Sequence, residues 1–119
     1  MSDKQQPEDL LPLTPAVFYI LLSLANGERH GYSIMQEVGE ITRQTVRMGP
    51  GTLYGSIKRM LVVNLIEEAE ERPDPALDDN RRRYYRITPF GHRVLTLEAE
   101  RLAQMVQQAQ ARQLLPNSA

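Results

Sequence analysis

Residues 48–61, MGPGTLYGSIKRML, form the stretch that decides the fold. Proline with a glycine on each side interrupts any preceding helix and predicts a new one from near Gly51 or Thr52 to about Val63. At about 100° per residue, its apolar side chains share one arc: Leu53, Ile57, Met60 and Leu61. Small, aromatic, hydroxyl and cationic residues occupy the other faces: Gly51, Thr52, Tyr54, Gly55, Ser56, Lys58 and Arg59. One face is therefore predicted to pack, and the other is open to a partner.

Two helices are predicted before this stretch. Thr14 followed by Pro15 is a helix-start signal, because threonine caps free N–H groups and proline suits the first turn. Apolar residues cover all faces between residues 13 and 24, which predicts a helix buried nearly all round. The second helix begins near Gly31, with an apolar stripe formed by Ile34, Met35, Val38 and Ile41. Residues 1–12 are polar with two prolines and are interpreted as a flexible arm.

A β-hairpin is predicted downstream, from segments 65–70 and 82–88 joined by a loop of about ten residues. Strand alternation places three side chains on one face: Arg81, Arg83 and Tyr85. Arg82, Tyr84 and Arg86 share the other face, and residue types alone leave open which face meets a partner. The loop between the strands is acidic and rich in proline, so its tip is expected to point away from a polyanion or to be disordered.

The last predicted helix opens at Thr88–Pro89 and runs to about Gln113, which leaves residues 114–119 as a tail. Its apolar residues recur at spacings of 4, 3, 4 and 3, a heptad seam: Leu95, Ala99, Leu102, Val106 and Ala109. This seam would also suit packing on the chain's own domain. Because the rest of the helix is polar and rich in glutamine, dimerisation with a second copy is the preferred interpretation.

Composition excludes several classes of protein. The 119 residues include 41% hydrophobic and 24% charged residues, as in one globular domain. With no cysteine and two isolated histidines, the chain offers no metal-ligand cluster or catalytic constellation, so an enzyme, a metal site and a cofactor are not expected. No apolar run approaches the ~18 residues of a membrane span, and the N-terminus is unlike an export signal, which predicts a cytoplasmic protein without a membrane partner.

The net charge of −1 hides an uneven distribution. Residues 29–59 contain five basic and two acidic residues, whereas residues 67–79 contain seven acidic and one basic. Residues 81–93 then contain five basic residues and no acidic one. Two basic blocks can build one basic face, since the local field steers a polyanion more than the total charge does. Solvated surface charge explains the same pattern equally well.

Three helices, a hairpin and a long helix are the element order of a winged helix-turn-helix, here residues 13–88, with a C-terminal helix at 89–113. The predicted fold class is mainly α with a small β-hairpin. In such a fold the third helix enters the major groove of double-stranded DNA. Gly55 would give clearance beside the bases, while donors would come from Thr52, Ser56, Lys58 and Arg59. On the hairpin, the candidate DNA contacts are Arg81, Arg82, Arg83 and Tyr85. A winged-helix adaptor that binds only proteins is the alternative, although it should display apolar groups on this helix face.

Five segments carry a more specific pattern: 30–34 (HGYSI), 48–54 (MGPGTLY), 57–61 (IKRML), 65–66 (LI) and 81–91 (RRRYYRITPFG). In order and spacing they resemble the PadR family of bacterial transcriptional regulators across roughly residues 13–112. The resemblance implies a dimeric winged-helix repressor of the short subclass, which has one C-terminal dimerisation helix. It places the DNA contacts at Tyr32, Ser33, Gly51, Thr52, Tyr54, Lys58 and the arginines of the wing, here Arg81, Arg82 and Arg83.

The chain departs from the family pattern at two points. Residues 62–64 (VVN) stand where relatives carry charged residues and a glycine, so the turn after the third helix is expected to be unusual. Some short relatives bind planar drugs between tryptophans at the dimer centre, a mode not expected in a chain without tryptophan. The predicted function is repression of transcription by a homodimer bound at a pseudo-palindromic operator. Whether a small-molecule effector controls it is left open.

Overall fold

Helices form most of the chain, with a small sheet between the third helix and the fourth. The computed structural model describes residues 5–70, 72–73 and 81–116. Its helices are α1 (Pro15–Leu24), α2 (Gly31–Ile41), α3 (Pro50–Val62) and α4 (Pro89–Ala111). Its strands are β1 (Arg29–His30), β2 (Ile66–Glu68), β3 (Arg72–Pro73), β4 (Arg81–Arg82) and β5 (Tyr84–Ile87). The predicted fold class, mainly α with a small β-structure and a long C-terminal helix, is confirmed.

Threonine caps begin the first and last helices, as the sequence predicts. Thr14 Oγ1 accepts from the Val17 N–H at 3.3 Å, and Thr88 Oγ1 accepts from the Gly91 N–H at 2.9 Å. Each cap satisfies one of the N–H groups that a helix leaves unpaired in its first turn. Thr88 also donates to the Asn64 carbonyl at 2.7 Å, so the cap of α4 is tied to the end of α3.

The sheet has three antiparallel strands in the order β1-β5-β2. Ile66 lies opposite Ile87, and Arg29 lies opposite Tyr85, which makes β5 the central strand. β3 and β4 pair separately, with Arg72 opposite Arg82, and continue the same hairpin. The sequence predicts the hairpin but not β1, because two residues are too few to show strand alternation.

The core lies where α1, α2, α3 and the sheet meet the first half of α4. Its largest fully buried apolar side chains come from all of these elements: Ile20, Leu21, Leu24, Ile34, Val38, Leu53, Met60, Ile66 and Val94. The first turn of α4 packs so closely on the backbone just before β2 that a Cβ at Gly91 would overlap the Leu65 carbonyl. Glycine is therefore needed at 91 for this packing.

The turn after α3 is an ordinary helix end, against expectation. Asn64 has φ +65°, its N–H donates to the Leu61 carbonyl at 3.2 Å, and the Leu65 N–H donates to the Met60 carbonyl at 2.9 Å. This is a Schellman motif, in which asparagine tolerates the left-handed conformation that glycine usually supplies. Residues 62–64 therefore stop the helix without a glycine.

The N-terminal segment differs from its prediction. The sequence predicts a flexible arm over residues 1–12, but Pro7–Leu10 form a 3-10 helix that contacts α4. Leu10 and Leu11 pack against the core, because these two apolar side chains lose water contact there. The described residues do not include 1–4, 71, the acidic loop tip at 74–80 or 117–119. The prediction for the tip therefore stays a prediction. No helix in the described ranges is long and apolar enough to cross a membrane.

Candidate nucleic-acid interface

α3 separates into a buried face and an exposed face. Leu53, Ser56, Ile57 and Met60 are buried, and the exposed residues are Pro50, Gly51, Thr52, Tyr54, Lys58, Arg59 and Val62. The amphipathic pattern predicted from the sequence is therefore present, and two cations lie on its solvent side. Ser56 is the exception, since it is fully buried and its Oγ accepts from Arg59 Nη2 at 3.3 Å. The prediction that Ser56 supplies an outward donor is wrong.

Two glycines of α3 leave open space on this exposed face. A Cβ at Gly51 would meet nothing within 4 Å, and one at Gly55 would meet only Arg59 Nη1 at 3.7 Å. Packing within the chain therefore does not require glycine at either position. The clearance that the sequence predicts at Gly55 is available to a molecule outside the chain.

The N-terminus of α2 presents a second polar surface. His30 is the N-cap, and its Nδ1 accepts from the Ser33 N–H at 3.1 Å. Tyr32 is half exposed in the first turn, and Ser33 is half-buried beside it. These are the two α2 residues that the family resemblance assigns to DNA contact, and both are accessible.

Tyr54 brings the two helices together. Its phenol ring lies against Gly31, where a Cβ would overlap the Tyr54 hydroxyl group. Glycine at the first position of α2 therefore allows α3 to approach closely. As a result, the exposed side of α3 and the first turn of α2 form neighbouring parts of one surface, which we call the α2–α3 surface: Tyr32, Ser33, Gly51, Thr52, Tyr54, Gly55, Lys58 and Arg59.

The hairpin from β2 to β5, which is the wing of this fold, contributes fewer cationic side chains to the surface than predicted. Arg83 is exposed, with Nη1 3.6 Å from Glu68 Oε2. The backbone of Arg81 and Arg82 lies in β4, and their side chains lie outside what the structure describes. Arg86 is occupied by two carboxylates, because its Nε donates to Glu67 at 2.7 Å and its Nη1 lies 3.3 Å from Glu28. Those carboxylates raise the pKa of Arg86 and offset its charge toward any polyanion.

Tyr85 does not belong to the interface. It is 6% exposed and forms part of the core, so the prediction that it reaches DNA is wrong. The predicted alternation fails because Arg83 lies outside both strands and interrupts the period between β4 and β5. Burial is the main cause that raises the pKa of the Tyr85 hydroxyl, and the neighbouring Glu68 raises it further.

The residues of the predicted dimerisation seam have two different environments: the first is buried in the core, and the later ones are partly or largely exposed. Leu95 is 7% exposed and packs in the core of its own domain, so it is unavailable to a second copy and its assignment to the seam is wrong. Ala99 is exposed, while Leu102 and Ala109 are half-buried. Val106 is 46% exposed, and the adjacent Met105, which lies outside the predicted seam, is 49% exposed.

One interaction network around the surface was missed. Arg29 bonds to α1 and to Ser33, yet it lies outside every motif, and no periodic signal in the sequence could have identified it. Of the two histidines, His30 has the structural role of a cap and His92 is exposed on α4. Among the described residues, no group of three or more histidine or acidic side chains is placed to hold a metal ion.

Known proteins resemble this chain over most of its length. The profile of the transcriptional regulator PadR-like family matches residues 20–97. Transcriptional regulator Rv3488 of Mycobacterium tuberculosis is 33% identical over 90 residues, which cover 76% of this chain and 78% of that protein. An uncharacterized 37.1 kDa protein in transposon TN4556 of Streptomyces fradiae is 32% identical over 90 residues, but there the match spans only 24% of the longer protein.

Solved structures share the fold. A PadR family transcription regulator from Clostridium difficile superposes with a TM-score of 0.70 at 24% identity, covering 86% of this chain and 100% of that one. Bacillus subtilis PadR, solved in complex with operator DNA, superposes with a TM-score of 0.60 at 21% identity, covering 71% of this chain and 46% of that one. The family profile matches more than half of the chain, and the structures agree with it in fold. This chain therefore belongs to the PadR-like family, whose members are transcriptional regulators and not enzymes.

Proposed function

We propose that the chain is a sequence-specific repressor that binds double-stranded DNA as a homodimer through the α2–α3 surface and the wing. The observation that carries the proposal is the exposed face of α3, where Thr52, Lys58 and Arg59 stand clear of the core. Such a face can place cations on phosphates and donors on base edges. The relative from B. subtilis was solved with operator DNA and shares this fold, which supports the same use here.

The features of the α2–α3 surface favour DNA over a protein partner. An adaptor surface should have an apolar centre, whereas this one has two cations, hydroxyl groups and two glycines at or near its middle. The exposed apolar side chain on this side of α3, Val62, lies in the last turn of the helix. Its tyrosines, Tyr32 and Tyr54, carry hydroxyl groups that can reach phosphate oxygens. The wing adds Arg83, and we assign Arg81 and Arg82 to the same role.

A second copy would pair through α4, on the stripe formed by Ala99, Leu102, Val106 and Ala109. Two winged helices held in this way would meet successive major grooves, about 34 Å apart on one face of the duplex. The operator is then pseudo-palindromic, because protein symmetry is copied into the DNA site. Repression follows if the site overlaps the region that polymerase needs.

An effector would act on the angle between the winged domain and α4, since it must bind one arrangement better than the other. A cavity of about 330 Å³ lies at this junction, lined by Phe18 and Tyr19 of α1 and by Leu102 of α4. A small molecule bound there should stabilise the fold by mass action and change the affinity for DNA.

Fluorescence anisotropy tests DNA binding directly. A labelled duplex from upstream of this protein's own gene and a scrambled duplex are titrated with protein at several salt concentrations. We expect tighter binding to the upstream duplex and a linear fall of log affinity with log salt concentration. In a transcription assay, bound protein should lower the yield from the same promoter, and a higher yield would contradict repression.

Matched variants locate the interface. Lys58→Ala should weaken binding about tenfold and reduce the salt slope by about one, because one phosphate contact is lost. Arg112→Ala removes the same charge at the far end of α4 and should leave binding unchanged. Equal effects of the two substitutions would contradict the α3 interface, and failure of the wild-type protein to bind either duplex at low salt would favour an adaptor.

A further inference from the structure

Ser33 is held from two sides by the chain itself. Its backbone N–H donates to His30 Nδ1 at 3.1 Å, and its Oγ accepts from Arg29 Nη1 at 3.0 Å. A serine hydroxyl has one hydrogen to donate and lone pairs to accept. Because arginine is a donor only, the bond from Arg29 uses a lone pair of Oγ and leaves the hydroxyl hydrogen available. Among the hydrogen bonds of the described residues, none uses this hydroxyl as the donor.

The guanidinium of Arg29 is held by two hydrogen bonds, to Ser23 and Ser33, and by an ion pair with Glu37. Its Nε donates to the Ser23 carbonyl at 2.6 Å, and its Nη2 lies 3.5 Å from Glu37 Oε1. Ser23 is in the last turn of α1, where carbonyls have no partner within the helix. Arg29 therefore joins the end of α1 to the start of α2 with little freedom of its own.

We propose that Arg29 is a positioning residue for DNA binding, which orients the Ser33 hydroxyl so that its hydrogen points to a DNA phosphate. The proposal rests on the function proposed above, since it requires Ser33 to face DNA. A neutral hydroxyl gains as a phosphate donor when its oxygen already accepts from a cation, because hydrogen bonds in a chain polarise one another. The planar guanidinium group directs three nitrogens to Ser23, Ser33 and Glu37 at once. The single ammonium nitrogen of a lysine would not reproduce this arrangement.

Two other roles for Arg29 make different predictions. If Arg29 contacted phosphate directly, its replacement by a neutral residue would lower the salt slope of binding, as for any phosphate-bound cation. If Arg29 only held α1 to α2, its replacement would lower the melting temperature and leave the affinity of the folded protein unchanged. An effect transmitted through Ser33 disappears once the Ser33 hydroxyl is removed.

A double-mutant cycle on the full chain separates these roles. The variants are Arg29→Lys, Ser33→Ala and the pair, with Arg29→Gln for the salt slope and Ser33→Thr as the variant that keeps a hydroxyl. The probes are the upstream duplex and a scrambled duplex of about 30 base pairs, enough for two half-sites one helical turn apart. Affinities are measured by anisotropy at low salt, well below each variant's melting temperature, which is followed by circular dichroism.

We expect Arg29→Lys and Ser33→Ala each to weaken binding about fivefold on both duplexes, the size of one hydrogen bond. The double variant should bind no more weakly than Ser33→Ala, Ser33→Thr should keep most of the affinity, and Arg29→Gln should leave the salt slope unchanged. Additive losses in the cycle, a smaller slope for Arg29→Gln, or a lower melting temperature with unchanged affinity would each overturn the role of Arg29.

Lys58→Ala distinguishes this failure from failure of the proposed function. Binding that depends on Lys58 but shows no coupling between Arg29 and Ser33 overturns only the positioning role. Wild-type protein that binds neither duplex overturns the proposed function and the role of Arg29 with it.

Discussion

The two halves of α4 carry the same apolar stripe in different surroundings. In the first half, Val94 and Leu95 are buried in the core. In the second half, Val106 lies on the same side of the helix and is 46% exposed. The helix has 23 residues, about 35 Å at 1.5 Å per residue, and extends beyond the domain on which it begins. Periodicity therefore identifies an apolar face, but only the neighbouring elements decide whether the chain itself covers that face.

Glu98 lies at the boundary between the halves. Its carboxylate is 2% exposed, accepts from the Leu13 N–H at 2.9 Å and pairs with Arg101 at 2.6 and 3.0 Å. The bonds from Arg101 hold the pKa of the Glu98 carboxyl below its ordinary value against burial, which raises it, and the Leu13 N–H also lowers it. Glu98 thus ties the segment just before α1 to α4 at the last buried residue of α4.

The largest expected effect is a loss of stability in the first half. Leu95→Ala should lower the free energy of unfolding by about 2–4 kcal/mol, because it leaves a cavity in the core. Leu102→Ala, the same change in the second half, should cost under about 1 kcal/mol in the isolated protomer, since Leu102 is only half-buried. Urea unfolding at low protein concentration measures both, and similar costs would contradict the comparison.

Removal of the boundary carboxylate should have the next largest effect. Glu98→Ala should lower the free energy of unfolding by about 1.5–3 kcal/mol, the range for hydrogen bonds to charged groups. Glu100→Ala is the control, because Glu100 is exposed on the same helix and should change stability little. Equal stability of the two variants in urea would show that the link between Glu98 and Leu13 contributes nothing.

A smaller change is expected from a charge in the second half. Val106→Asp should raise the dissociation constant of the dimer at least tenfold, or about 1.4 kcal/mol, because it places an unpaired carboxylate in the proposed interface. Gln104→Asp adds the same charge on the opposite side of α4 and should leave assembly intact. Sedimentation velocity over a range of concentrations distinguishes them, and a Val106→Asp dimer as tight as the wild type would exclude this face.

The smallest expected effect is a pH dependence at Glu98. Because its folded pKa is lowered, the carboxylate contributes stability above the unfolded value of about 4.3, and this contribution is lost as the pH falls through the folded pKa. The advantage of the wild type over Glu98→Gln should therefore be constant near neutral pH and shrink below about pH 4. Chemical unfolding of both proteins across this range checks the direction, and an advantage that grows in acid would contradict it.

Local signals in the sequence predicted the helices and the exposed face of α3. Threonine–proline pairs place the starts of α1 and α4, because capping depends only on residues within one turn. The spacing of Leu53, Ile57 and Met60 predicts the packed side of α3, since helical geometry places residues three and four apart on one face. Ser56 lies at the edge of that side, and its polar residue type did not indicate that it would be buried.

The failures depended on contacts between distant segments. Tyr85 is buried because β1 and β2 flank β5 on either side, and the two residues of β1 carry no strand pattern of their own. Leu10 and Leu11 fold onto the core because the chain ahead of α1 returns to α4, a contact between segments more than 80 residues apart, as in the bond from Leu13 to Glu98. In the sequence, nothing distinguishes Arg29 from a surface arginine. Its contacts arise only when the packing of α1 and α2 places Ser23 and Ser33 beside it.

The sequence by itself determined the order and approximate extent of the four α-helices, where α1 and α4 begin, and that α3 has one apolar and one cationic side. These properties come from local sterics, capping and period, which act within a few residues. Only the tertiary structure decided which half of the α4 stripe is covered, that Tyr85 belongs to the core, and that Arg29 holds Ser33. Each of these depends on what another segment excludes from water or leaves exposed, and no single stretch of the chain contains that information.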